Sequence, residues 1–292
     1  MRSLRVLLIG GPMYDPLYES IADFTRREGI TVEIAAKLRH PELNARIEEE
    51  FRSGQAAYDL ISTHTKYAPS QQQWLTPLDE TEVDLTAFLP VTLELARIEG
   101  KLLGIPRNLD LKLLIYRNDL LAGPPRTWEQ LRQQARELTQ APHRFGFAFP
   151  GKESGLFGHF FELTAMAGGQ LFPEETLLPR TTISEAHWAL ELLINLYKES
   201  APKELPRWHY DEVTDSFLRE EVAMVTDWPG SFHRYQSSPL QTVLGLSAYP
   251  HGAAGRFHYS SAHIFAIPVT VRDRPAVLAL LHHLTSREAQ LL

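Results

Sequence analysis

The sequence predicts an α/β protein of two lobes, with short strands that cross between the lobes and serve as a hinge. Three observations predict it. The chain has 292 residues, more than a single core comfortably holds. Its first 120 residues alternate compact apolar runs with amphipathic stretches, the signature of a parallel sheet with helices on its faces. No repeat, low-complexity tract or long linker interrupts the chain, so any passage between lobes runs through strands or tight turns. The passages fall at residues 106–110 and 252–261. They define a first lobe of residues 1–107, a second of 108–257 and a return to the first over 258–292.

Each element has a local reason. Residues 5–11 are a compact apolar run, read as a buried strand. Asp15-Pro16 then offers an N-cap with proline at the first helical position. Leu17, Ile21 and Phe24 follow on one helical face, and Gly29 ends that helix. Residues 31–36, with β-branched Thr31, Val32 and Ile34, make a second strand. Pro41 opens a helix that runs to Phe51 and closes at Gly54, and residues 59–64 are a third strand. Residues 101–120 show no helical period, and Pro106 argues against one central strand there, so two strands are expected. Thr127 with Gln130 is a capping box that starts a helix. A strand at 144–150 and helices at 155–167, 184–198 and 211–220 follow, the second with Ala186, Leu190, Leu193 and Tyr197 on one face. Strands are expected at 222–227, 243–249 and 263–269, then a closing helix from Arg274 and a second capping box at Thr285 and Glu288. Trp74, Trp128, Trp188 and Trp208 lie in or beside helices and read as packing residues.

Composition excludes several classes. Hydrophobic residues at 43% and charged residues at 22% are values of a folded globular chain. The net charge of −7 would be repelled by a phosphate backbone, so no nucleic-acid partner is expected. Cysteine is absent, which removes disulfides, thiolate zinc sites and cysteine nucleophiles. Apolar runs such as 6–9 and 276–281 are far short of the roughly 20 residues a membrane helix needs. Arg2 and Arg5 ahead of that first run mimic a short signal peptide, but no small-residue cleavage site follows, and the run reads as a strand.

Enzyme motifs are missing. No G-x-x-x-x-G-K-[ST] occurs, and Gly10-Gly11-Pro12 puts proline where a phosphate loop needs free N–H groups. Gly151-Lys152-Glu153-Ser154-Gly155 has the wrong spacing for a nucleophile elbow. His159 and Glu162 share a helical face, a spacing open to a metal but read as a surface pair. No cofactor and no metal are expected. What the sequence offers is a set of aromatic and polar residues at strand ends, where open α/β sheets bind ligands. These are Met13 and Tyr14 after the first strand, His64, Thr65 and Lys66 after the third, Arg107, Asn108 and Asp110 at the first passage, Ser154 and Phe157 at the start of a helix, Trp228 and Pro229 after the 222–227 strand, and Ser261 and His263 at the second passage. Each has an alternative as a packing or capping residue. A flat ring with carboxylate, amide and imidazole groups suits a polyhydroxylated solute. Lys66 and Arg107 leave open an anionic solute such as a phosphorylated polyol. His64 with Asp110 leaves open an acid–base enzyme.

The order of segments resembles the family 1 extracellular solute-binding proteins of bacterial ABC importers, the maltose-binding-protein-like group. The segments are Ile21-Ala22-Asp23-Phe24, Gly29-Ile30-Thr31-Val32, Tyr58-Asp59-Leu60-Ile61, Leu75-Thr76-Pro77-Leu78-Asp79, and Gly104-Ile105-Pro106 with Leu114-Ile115-Tyr116-Arg117-Asn118-Asp119-Leu120. Pro125-Arg126-Thr127-Trp128-Glu129-Gln130-Leu131, Ala167-Gly168-Gly169, Val222-Ala223-Met224, Trp228-Pro229-Gly230 and Phe265-Ala266-Ile267-Pro268 complete the series. The resemblance implies a periplasmic-binding-protein-like fold of class II type, capture of a sugar as the lobes close, and delivery to the transmembrane subunits of an ABC permease. It also implies a periplasmic or cell-surface location, a monomer, and a cleft lined by Asp110, Trp228 and Pro229, the loops after the first and third strands, and the start of the 155–167 helix. In the family pattern Asp110 stands where a ligand-binding carboxylate lies. The chain departs from the pattern in lacking an export signal and a lipidated cysteine, in stopping at Leu291-Leu292, and in carrying Ser260-Ser261-Ala262 where glycine is usual. Those departures imply a truncated or compact member, a split gene, or a sensor or scaffold module of the same fold.

Overall fold

A computed structural model describes residues 2–11, 14–173, 175–176 and 178–291. The chain divides into two compact units, Met1–Asp110 with Ser261–Leu292, and Leu111–Ser260. The divisions fall after Asp110 and after Ser260, where the sequence placed them after 107 and after 257.

The strands are β1 (Arg2–Ile9), β2 (Ile30–Leu38), β3 (Leu60–His64), β4 (Arg97–Ile98), β5 (Lys101–Leu102), β6 (Ile105–Pro106), β7 (Leu113–Arg117), β8 (Phe145–Ala148), β9 (Val222–Asp227), β10 (Leu244–Ser247) and β11 (His263–Ala266). The first unit holds a sheet of order β2-β1-β3-β11-β6. Alternation along β1 serves two faces at once. Leu4, Val6 and Leu8 join a core with Phe24 of helix Ile21–Glu28 and Val277, Leu280 and Leu281 of helix Arg274–Leu284. Leu7 and Ile9 join the opposite core with Leu43 and Ile47 of helix His40–Arg52. Gly29 sits at φ 65° and closes helix Ile21–Glu28, its N–H donating to the Thr25 carbonyl at 3.0 Å, a left-handed cap that glycine adopts without strain.

The second unit holds a sheet of order β10-β7-β9-β8. Every residue of β9 is buried. Helix Trp128–Leu138 starts where the Thr127 hydroxyl accepts the Gln130 N–H at 3.1 Å. It lies so close to β8 that a Cβ on Gly146 would stand 1.8 Å from the Ala135 carbonyl oxygen. Only glycine fits there.

The parallel pairing expected of the first three strands is found, and two local expectations are corrected. β1 pairs parallel with β2 and β3, but β11 runs antiparallel to β3, and β7 runs antiparallel to β9. Both sheets are therefore mixed, because strands that return through long excursions are free to enter in either direction. The last cap is Ser286, whose hydroxyl accepts the Ala289 N–H at 3.2 Å, while the Thr285 hydroxyl donates to the Leu281 carbonyl. Helix Ser184–Ser200 buries Ala186, Ala189, Leu192, Leu193 and Leu196, and Leu190 is exposed.

Candidate functional site

The direction of β11 builds the main cluster. Because β11 is antiparallel to β3, its first residue pairs with the last of β3, and His263 stands opposite His64. β6 runs antiparallel to β11, so the chain leaving it enters the same edge, and the Arg107 N–H donates to the His263 carbonyl at 2.9 Å. Tyr14 follows β1 at that edge, and His40 opens the helix after β2. Five segments distant in sequence thus converge at the carboxyl end of a sheet, where αβ geometry favours ligand sites.

The rings of His40, His64 and His263 lie edge to face, with centroids 4.8 Å apart for His40–His64, 5.2 Å for His40–His263 and 4.8 Å for His64–His263. Tyr14 Oη lies 3.1 Å from His263 Nε2. Asn108 braces the cluster: its Oδ1 accepts the His263 N–H at 2.9 Å, and its Nδ2 donates to Asp110 Oδ1 at 2.7 Å. Asp110 and Ser261 form a backbone bridge. The Thr65 hydroxyl accepts the Ala262 N–H at 3.2 Å. Thr65, Asn108 and Ser261 therefore shape the edge through its backbone. Arg107 is half-buried, its guanidinium 4.5 Å from the Tyr14 ring centre and 3.2 Å from the Tyr18 hydroxyl. Lys66 is exposed and lies over the Tyr67 ring at 4.9 Å.

Burial sets the protonation of this edge. It pushes His40 down to about 4, with help from Lys66. It pushes His64 to about 3, with His40 and Lys66 adding to it, and His263 to about 2, with His64, His40, Arg107 and Lys66 adding. All three imidazoles are neutral at pH 7. Burial raises Asp110 to about 6 against the opposing pull of Arg107 and the Asn108 hydrogen bond. The edge offers neutral acceptors and donors with one titratable carboxyl.

A second group of residues lies within the second unit. Trp228 follows β9, half-buried, and meets Tyr210 edge to face at 5.6 Å. Its N–H donates to Asp227 Oδ1 at 2.7 Å. Asp227 is fully buried and also accepts from Thr214, Tyr235 and Ser231, so it anchors the turn that presents the indole. Pro229 is exposed. Ser154 is exposed, with Oγ 3.5 Å from His209 Nε2. Phe157 packs with Phe161 and Phe172 and lines an apolar cavity of about 550 Å³ with Leu156, Leu190 and Ile194. Phe157 thus belongs to a largely apolar patch that Glu153, Thr181 and His187 also border. Met13 lies outside the described residues.

His159 and Glu162 are a correction. Read as a surface pair, they are each 1% exposed. Glu162 Oε2 meets Lys112 Nζ at 2.6 Å, and its Oε1 accepts the Tyr259 N–H at 2.8 Å. His159 Nε2 lies 2.8 Å from the Thr226 hydroxyl. Burial first, and then Lys112, hold His159 far below its usual range. A lowered histidine adds stability above the unfolded value near 6.5 and loses it as pH falls. Between pH 6.5 and 5.5 the unfolding free energy of His159→Gln is therefore expected to fall less steeply than that of the parent, by up to about 1.4 kcal/mol per pH unit. Equal slopes in urea titrations would show that His159 is protonated in the fold.

His40, Tyr210, Lys112 and Glu162 were not picked out as site residues from the sequence. His40 had a signal: it follows a strand, as Tyr14 does, and His64 ends one. Lys112 had none, since a lysine in an apolar strand reads as an edge position.

Residues 19–292 match the model of the bacterial extracellular solute-binding protein family, and the chain belongs to that family. The family is one of binding proteins. A probable ABC transporter-binding protein of Deinococcus radiodurans is 26% identical over 186 residues, covering 59% of this chain and 44% of the relative. The match thus spans under half of that relative's length. Among solved structures, maltose-bound MalE3 of T. maritima is similar with a TM-score of 0.87 and 23% identity, covering all of this chain and 79% of that one. A ribitol complex of an ABC transporter solute-binding protein from Agrobacterium radiobacter K84 gives 0.84 and 20%, covering 99% and 77%. These likenesses establish the shared fold. Among the described residues, no helix is long and apolar enough to cross a membrane.

Proposed function

We propose that the chain is the solute-binding component of an ABC importer, that its solute is a carbohydrate or polyol, and that it passes the solute to a membrane permease outside the cytoplasm without chemical change. The match to the solute-binding family over residues 19–292 carries this reading. The similar solved structures hold maltose and ribitol, which supports the solute class. Two sets of groups suit such a solute, each within its own unit. Trp228 and Tyr210 offer aromatic faces for sugar C–H groups. Tyr14, the neutral imidazoles and Asp110 offer donors and acceptors for hydroxyls. An anionic solute is less well served, because Arg107 is stacked on Tyr14 and bonded to Tyr18.

A thermal-shift and calorimetric screen of maltooligosaccharides, pentitols and hexitols, with glycerol phosphates as the anionic arm, tests this. A neutral member at 100 times its Kd is expected to stabilise the native chain by about 2.7 kcal/mol. Binding confined to the phosphate esters would overturn the solute class. Turnover of any bound member, abolished in His64→Ala, would overturn the reading as a binding protein.

A further inference from the structure

We propose that His64, His263 and Asp110 form a binding site for a divalent transition-metal ion of the zinc class. Each of the three offers one ligand atom, and these atoms lie within 4.8 Å of one another. The ligands come from the end of β3, the start of β11 and the segment after β6, so the paired backbone of one sheet edge holds them. His263 is 6% exposed, and its Nδ1 is buried without a hydrogen-bond partner. A buried imidazole nitrogen without a partner is disfavoured unless something completes it. A metal ion would do so.

The surroundings divide the roles of the remaining atoms. Tyr14 Oη engages His263 Nε2, which leaves Nδ1 as the ligand atom, with Tyr14 as the outer partner that fixes the ring. Asn108 holds Asp110 Oδ1 by hydrogen bond and so sets the orientation of that carboxylate. Neutral imidazoles are the form that ligates. His64 resists in one respect. Its Nδ1 accepts the Lys66 N–H at 3.1 Å, so the neutral ring carries its proton on Nε2, and either nitrogen ligates only after that bond is released. Zinc ligands at about 2.0–2.2 Å stand roughly 3.3 Å apart in a tetrahedron, so binding also draws the three side chains inward.

The donor set selects the class of ion. Two nitrogens and one carboxylate suit zinc and its first-row neighbours, whereas magnesium and calcium demand oxygen ligands. Three protein ligands leave a position open, and the His40 ring lies beside both ligating rings.

This inference needs no carbohydrate, and it is tested without one. The chelator-treated chain is titrated with zinc chloride in a calorimeter, with magnesium chloride as the second arm. One zinc per chain is expected, with no heat from magnesium. Tyr14→Phe keeps the ring packing and removes the outer hydrogen bond, and is expected to weaken zinc by about 10-fold. His64→Asn and Asp110→Asn, each checked for native circular dichroism, are expected to weaken it by more than that. His251→Gln, an exposed histidine outside the cluster, should leave it unchanged. Loss of the Lys66 amide resonance from its metal-free position on zinc addition is the independent sign of ligation at His64. No stoichiometric binding, or binding unchanged in folded His64→Asn and Asp110→Asn, overturns the site. Carbohydrate titrations in chelator bear only on the solute reading, so the two fail separately.

Discussion

Glu162→Ala is expected to destabilise the chain by about 3–5 kcal/mol, the usual penalty for removing one partner of a buried ion pair. Lys112 is fully buried and Glu162 is 1% exposed, and their charges meet at 2.6 Å. Burial pulls the Lys112 ammonium down in pKa and Glu162 holds it up, while burial raises Glu162 and Lys112 lowers it. Without Glu162, the Trp228 ring at 5.5 Å and the Tyr249 ring at 5.9 Å remain beside the ammonium. Cation–π attraction of roughly 0.5–2 kcal/mol does not replace a charge partner in a dry site. The Tyr259 N–H would also lose its acceptor. Glu162→Gln keeps that acceptor and should fall between parent and alanine. Paired replacement, Lys112→Met with Glu162→Leu, removes both charges and is expected to recover most of the loss. Urea unfolding of the four proteins decides the matter: a drop below about 1 kcal/mol in Glu162→Ala would mean that the ammonium finds water or sheds its proton at little cost.

The contrast between the two clusters shows what a sequence reveals of such a chain. Tyr14, His64 and Arg107 were legible because strand ends are legible: apolar runs stop, and the next polar residue lies at a known edge of the sheet. That His64 and His263 are neighbours was not, because it depends on β11 running antiparallel to β3. Strand direction after a 150-residue excursion (Leu111–Ser260) leaves no local mark. The burial of Glu162 was hidden for a different reason. Helix Glu153–Met166 carries Phe157, Phe160, Phe161, Leu163 and Met166 on several sides, so no single apolar face points to the core. A carboxylate three residues from a histidine then reads as solvated. Leu190 misled in the same way, since helix Ser184–Ser200 has one apolar stripe in the core and another at the cavity lined by Leu190 and Ile194.

Trp228→Ala is expected to weaken carbohydrate binding by roughly 1–3 kcal/mol, or about 5- to 160-fold in Kd, while leaving the fold intact. The indole is half-buried at the carboxyl end of a fully buried strand. The backbone turn that presents it does not depend on the packing of the ring. Asp227 holds the Trp228 N–H, and the Ser231 N–H donates to the Trp228 carbonyl at 3.1 Å, so the backbone of the turn survives truncation of the side chain. Tyr210 contacts the ring edge to face, an arrangement that orients the indole without stacking on it. Trp228→Phe should recover part of the affinity, because a smaller ring still covers sugar C–H groups. Trp228→Leu should recover less, since it restores apolar area without a flat face. Burial by area alone gives the same order, so the series tests whether Trp228 covers the solute rather than how. Calorimetry on the four proteins with one maltooligosaccharide reads it directly, and equal affinities across the folded series would remove Trp228 from the site.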